Sequence, residues 1–220
     1  MKRRDFSLQL AGTGLGLGLG LAMAGGARAQ GAPVEGQQFT RLNTAAPLSL
    51  PNAQKKVEVV EFFSYACPHC FAFEPTLEAW VKQLPPDVYF HYVPVGFVSG
   101  GAWVPKVFFA LEEMGQREAM HRKIFAALHV QHVRLNTEAD ITAFLVANGV
   151  DGGKFNAAYK SFSVNTKLAR NQQLASAYKV DSVPMIGVQG RYTTSPAAAG
   201  TNERTLSVID NLIQRARQGA

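Results

Sequence analysis

The chain has two cysteines, Cys67 and Cys70, separated by Pro68 and His69 and set where a strand-like run passes into a helix-like one. Upstream, KVEVVEFFSYA (56–66) puts Val57, Val59, Glu61 and Phe63 on one face and Lys56, Glu58, Val60 and Phe62 on the other, the period of a strand that becomes buried toward its end. From Pro68 the pattern turns helical, with Phe71, Leu77, Trp80, Val81 and Leu84 on helical spacings and a proline where a helix starts well. Pro75 predicts a kink or a restart. VYFHYVPV (88–95) follows Pro85-Pro86 as a second strand, so the cysteines lie inside a strand–helix–strand unit.

The N-terminus bears on the chemistry of that pair. Lys2, Arg3 and Arg4 precede a mildly apolar, glycine-laden stretch, LQLAGTGLGLGLGLAMAGG (8–26), which runs into Ala27-Arg28-Ala29. This is the pattern of a signal peptide with cleavage expected near Ala29; a membrane anchor wants about 20 strongly apolar positions. The arginine pair before Asp5 and Phe6 also resembles a twin-arginine signal, with Sec export the other route. Export places the mature protein in an oxidising compartment, a bacterial periplasm, where two cysteines can hold a disulfide. Of 22 basic and 16 acidic residues the leader takes four and one, which leaves a mature charge of +3, too mild for a nucleic-acid surface. The 191 residues beyond the leader suffice for one domain with a core and an insertion.

Residues 30–54 lack periodicity and read as an extended arm ending in a turn at Pro51-Asn52. After the second strand, residues 98–167 read as several short helices, with Gly115 and Gly149 at helix ends. NTKLARNQQLASAYKV (165–180) predicts a further helix, DSVPMIGVQGRYTTS (181–195) two strands joined at Gln189-Gly190, and ERTLSVIDNLIQRARQ (203–218) an amphipathic helix. The class is α/β.

At a strand-to-helix junction the Cys67 sulfur lies near unsatisfied backbone N–H groups, where the helix dipole favours a thiolate, and His69 adds positive charge or a hydrogen bond. Stabilising reduced Cys67 makes the disulfide a strong oxidant, since about 30 mV corresponds to about 1.4 kcal/mol. Cys70, one turn along, faces the interior and is the natural resolving thiol. A passive staple would restrict the unfolded chain little across so short a loop. A zinc site needs another pair of ligands, and His121, His129 and His132 read more simply as surface or partly buried helix side chains. Alternation places Glu61 on the apolar face, where burial would raise its pKa and let it exchange a proton with Cys70; the other reading has it reach water or a lysine. Glu74 reads as an exposed helix carboxylate. Proline in the run around Val183-Pro184 marks an edge, a bulge or a cis bond. The aromatic-rich helices at 71–80 and 102–111 could line a groove for unfolded chains, with core packing their simpler role.

With VVEFFSYA before Cys67-Pro68-His69-Cys70, Phe71-Ala72-Phe73-Glu74 after it, and Val183-Pro184 downstream, the chain resembles the periplasmic thiol:disulfide interchange proteins of the DsbA type. The resemblance spans nearly all the mature chain. It implies a thioredoxin fold with an inserted helical domain: signal peptide 1–29, thioredoxin-like domain 30–97 and 168–220, helical insertion 98–167. It also implies Cys67 as nucleophile, Cys70 as its partner, His69 as thiolate stabiliser, cis-Pro184 opposite the sulfurs with the Val183 backbone offered to an extended substrate, Glu61 as buried carboxylate and Glu74 as a nearby acid. Unfolded exported cysteine-containing proteins are the implied substrates and a membrane quinone-linked oxidase of the DsbB type the implied partner, with no cofactor or metal. One departure is visible: some relatives carry a lysine near the buried carboxylate, but VYFHYVPV has none and His91 is not an obvious replacement. The competing readings are a disulfide reductase or isomerase and, from another class, an exported metal-binding module.

Overall fold

The computed structural model describes residues 31–219; the expected signal peptide, its cleavage point and its export route lie outside the described residues. The strand that leads to the cysteines, β2 (Val57–Phe63), is buried along its whole length. Val57 and Val59 share a core with Leu77, Ile209 and Leu212, while Val60 and Phe62 share one with Leu174 and Tyr178. Burial expected only toward the strand's end was therefore too narrow, because a strand covered on both faces is apolar on both. Helix α1 (Pro68–Val81) follows after four residues, with proline in its first turn. Pro75, on the exposed side, sits inside this helix without ending it. The chain returns as β3 (Val88–Pro94), parallel to β2 from Val57 opposite Val88 to Phe63 opposite Pro94.

Five helices follow: α2 (Val104–Glu113), α3 (Arg117–His129), α4 (Glu138–Ala147), α5 (Gly152–Tyr159) and α6 (Phe162–Ala177). Side chains cap the last three: Thr137 and Asp140 form a reciprocal capping box on α4, while Asp151 and Ser161 accept from the first turns of α5 and α6. Their apolar faces close over Phe108, Leu111, Phe125, Leu145 and Phe155, in a cluster that also contains Phe63, Tyr65 and both cysteines. The redox pair thus lies where the sheet meets the helical segment. The boundary expected between residues 167 and 168 falls inside α6, one unbroken helix.

Strands β4 (Met185–Val188) and β5 (Tyr192–Thr194) form the expected hairpin, with β4 antiparallel to β2. Gln189 and Gly190 have φ of 51° and 64°, and the Arg191 amide donates to the Val188 carbonyl at 3.0 Å, which closes the turn within the three-residue loop between the paired Val188 and Tyr192. Short α7 (Pro196–Ala199) leads to α8 (Asn202–Arg217), which buries Val208, Ile209, Leu212 and Ile213. The arm is more than a connector: its β1 (Thr40–Arg41) pairs with β5 and extends the sheet to the order β1-β5-β4-β2-β3. Phe39 is buried edge-on against Tyr192, and the Ala46 amide donates to the Gly190 carbonyl at 2.7 Å. From Ala32 onward the chain forms one compact unit.

Candidate active site

Cys67 is the N-cap of α1: its sulfur accepts from the Cys70 amide at 3.4 Å, in place of the oxygen that usually caps a helix. Its thiol donates to the Val183 carbonyl at 3.4 Å, and the Val183–Pro184 bond is cis. The two segments, 116 positions apart, thus meet at one sulfur. Both thiols are free; Cys67 is 5% exposed and Cys70 fully buried. Neither is an exposed group, and the difference in access is narrow. Their chemistry differs far more.

The Cys67 thiol is brought from 9.0 down to about 6, first by the hydrogen bond from the Cys70 thiol, against the upward pull of burial, then by the first-turn amides of Cys70 and His69 and last by the His69 charge. Cys70 is pushed far up by burial, by its bond to Cys67 and by the Glu61 charge. The first-turn amides and the His69 charge both lower the Cys67 thiol, but the strongest stabiliser of the thiolate is the other cysteine. His69 and Pro68 are exposed on the first turn, and Pro184 is buried beside a half-buried Val183.

Glu61 takes the buried alternative. Its carboxyl is fully enclosed, neither oxygen has a hydrogen-bond partner, and burial, then Glu74, then Cys67 raise its pKa well above the usual 4.5. His91 does not reach it; Nε2 of His91 lies 3.1 Å from Oε1 of Glu58, on the other face of β2. Glu58 is fully buried and also accepts from the Ser49 amide at 2.8 Å. Alternation alone does not mark it, since it shares a face with Lys56 as well as with Val60 and Phe62.

Glu74 is not an exposed helix carboxylate. It is 4% exposed, and its Oε1 accepts from the Tyr92 hydroxyl at 2.8 Å. That oxygen lies 3.1 Å from Nε2 of His121, close enough for charge interaction but out of line for a hydrogen bond. His121 is buried, with Nδ1 2.8 Å from the Tyr65 hydroxyl, rather than on the surface. His129 is half-buried, its Nε2 2.8 Å from the Tyr65 carbonyl and its ring stacked on Phe71, while His132 is exposed beyond the end of α3. Sequence reasoning missed Tyr65, Tyr92 and the burial of Glu74 and His121. A signal existed for the last two: Glu74 shares a helical face with Cys70 and Leu77, and His121 with Ile124, Phe125 and Leu128. Among the described residues no group of three or more His, Cys, Asp or Glu is placed to hold a metal ion.

A sulfur held as an anion at a helix start, a resolving thiol behind it and a proline loop across from it form an arrangement built for thiol–disulfide exchange. Residues 102–204 match the model of the DSBA-like thioredoxin domain. The thiol:disulfide interchange protein DsbA of Pseudomonas aeruginosa is 40% identical over 187 residues, covering 84% of this chain and 86% of the relative. That of Pseudomonas syringae is 39% identical over 199 residues, covering 89% and 91%. The crystal structure of Pseudomonas aeruginosa DsbA superposes with a TM-score of 0.78 at 38% identity, over 84% of this chain and 94% of that one. The DsbA oxidoreductase of Xylella fastidiosa superposes at 0.77 with 29% identity, over 86% and 100%. With this likeness spanning both the sheet and the helical segment, the chain belongs to the DsbA family of thiol:disulfide oxidoreductases, with the thioredoxin fold.

Proposed function

We propose that the protein donates a Cys67–Cys70 disulfide to newly exported proteins. The asymmetry of the two thiols carries this reading: Cys67 is drawn down to about 6 while burial drives Cys70 up. A substrate thiolate attacks the Cys67 sulfur, the bond to Cys70 breaks with its electron pair going to Cys70, and Cys70 takes a proton. A second substrate thiolate then displaces Cys67, which leaves readily as an anion. The substrate leaves with a disulfide and the enzyme as a dithiol. Val183 offers its backbone beside Pro184 to an extended substrate, His69 supports the Cys67 thiolate, Pro68 starts the helix that Cys67 caps, and Glu61 exchanges the Cys70 proton.

The site of action is the periplasm, after removal of the leader near Ala29, and reoxidation falls to a membrane quinone-linked oxidase of the DsbB type. Residues 98–167 serve as the helical insertion in a thioredoxin-like domain of 30–97 and 168–220, with α6 running unbroken across the boundary between 167 and 168. A stabilised thiolate leaves easily and makes a poor resting reductant, which sets the oxidase above a reductase or isomerase. Equilibration with glutathione tests the direction: an oxidising potential is expected, and a clearly reducing one would sink the proposal. Mixing reduced Cys70→Ser with a protein that carries a disulfide should accumulate a mixed disulfide at Cys67, because the Cys67 thiolate opens that disulfide and no Cys70 thiol remains to resolve the product; a trap that forms only in Cys67→Ser would reverse the two roles.

A further inference from the structure

Four buried polar atoms near the redox pair lack a hydrogen-bond partner: both oxygens of Glu61, Oε2 of Glu74 and Nε2 of His121. They belong to one neighbourhood. Glu61 stands opposite Tyr92 in the β2–β3 ladder, so both side chains leave the sheet on the same face. The Tyr92 hydroxyl ends on Glu74, and Glu74 lies against His121. The His121 ring is set among Tyr92, Tyr65, Phe125 and Phe63, with centroids 4.7, 5.2, 5.3 and 5.5 Å away. Its Nδ1 is engaged by the Tyr65 hydroxyl, so the nitrogen facing Glu74 is Nε2.

Glu74 and His121 also line a groove of about 960 Å³ on the β3 side, bordered by charged residues that include Arg117, Arg122 and Lys167. Cys70 is close enough to Glu61 to feel its charge, and Glu61 to Glu74, so buried exchangeable groups lie between the fully buried Cys70 and that groove. Imidazole is the side chain best suited to take a proton at neutral pH and hand it on.

We propose that His121, together with Glu74, is a proton-relay residue of the redox cycle, connecting the buried carboxyl of Glu61 to the groove on the β3 side. This rests on the reading that Glu61 exchanges the Cys70 proton. When substrate breaks the disulfide, Cys70 receives the electron pair and the proton of Glu61, and Glu61 is reprotonated from the groove through His121 and Glu74. During reoxidation Glu61 first gives up its proton and then takes that of the Cys70 thiol, which attacks the Cys67 sulfur of a mixed disulfide and releases the oxidant's thiolate. The proton that Glu61 gives up passes to Glu74 and, once the ring turns into line with the carboxyl, to Nε2 of His121, in the tautomer whose Nδ1–H is donated to the Tyr65 oxygen. The groove receives it. His121 touches neither sulfur and acts through Glu61.

The test is rapid-mixing oxidation of a synthetic peptide with two cysteines by wild type, His121→Gln, Glu74→Gln and Glu61→Gln, in light and heavy water, with the glutathione potential and melting temperature of each. The relay predicts about a tenfold slower rate in His121→Gln, a larger solvent isotope effect and an unchanged potential. Combining His121→Gln with Glu61→Gln should add little, since both interrupt one path. A wild-type rate in His121→Gln and Glu74→Gln with a slow Glu61→Gln overturns the relay and leaves the Glu61 reading standing. Wild-type rates in all three variants remove both. A lowered rate matched by a shifted potential or a lost fold assigns His121 a structural role; should His121→Gln not fold, Glu74→Gln and the wild-type isotope effect decide alone.

Discussion

At Cys67 the charge on the sulfur is set by neighbours only a few ångströms away, and their order can be measured. Because the Cys70 thiol ranks above the His69 charge, Cys70→Ala should raise the Cys67 thiolate midpoint, followed by its ultraviolet absorbance, further above about 6 than His69→Ala does. Glu61 makes a second expectation. Its raised pKa means that the folded state holds a proton which the unfolded chain loses above 4.5, so this carboxyl destabilises the fold increasingly as pH rises past that value. Glu61→Leu should therefore be more stable than wild type at neutral pH, by on the order of 1–3 kcal/mol in denaturant titrations, with the gap narrowing as pH falls toward 4.5. The cysteines and the candidate role of Glu61 were legible in the chain because spacing and alternation carry them. The burial of Glu74 was harder to read: its helical face with Cys70 and Leu77 points inward, but a carboxylate on a helix is ordinarily solvated, and the Tyr92 hydroxyl and His121 that make its burial tolerable come from other elements.

Among the elements, α1 and the β4–β5 hairpin show how local rules and tertiary contacts divide the work. Helix α1 begins where a strand ends and a proline sets φ, so its start was readable. The hairpin was readable at Gln189-Gly190, but the tertiary use of the turn was not: a Cβ on Gly190 would run into the Ala46 carbonyl, and Ala46 holds the arm. Gly190→Ala faces both this collision and a φ of 64°. A loss of about 1–3 kcal/mol is expected, with earlier hydrogen exchange at Ala46 and β1, and unchanged exchange there would refute the pinning of the arm by this turn. Arm residues 30–54 carry no periodic signal because β1 is two residues long and its partner, β5, lies some 150 positions away.

Across the whole molecule, the thiol asymmetry couples redox state to stability. Cys67 is lowered from 9.0 to about 6 in the reduced protein, so its ionisation stabilises the reduced fold. That contribution is fully present near pH 9, declines by about 1.4 kcal/mol per pH unit on the way down, and is lost below about 6. The oxidised form has no such term, and its disulfide closes too short a loop to offset it by chain entropy. Calorimetry at pH 7 should find the reduced protein melting above the oxidised one, the difference shrinking as pH falls toward 6; an oxidised form that melts higher would remove the thermodynamic case for an oxidant. The sequence alone determined the strand-to-helix junction, the cysteine pair, the hairpin turn and the amphipathic last helix, because each depends on neighbours within a turn or a strand. Only the tertiary structure decided what faces the sulfur and what lies beneath it. The Val183 carbonyl, Glu61, Glu74, Tyr92, His121 and Tyr65 come from separate elements, and a residue's burial and proton affinity depend on what packs against it across those elements.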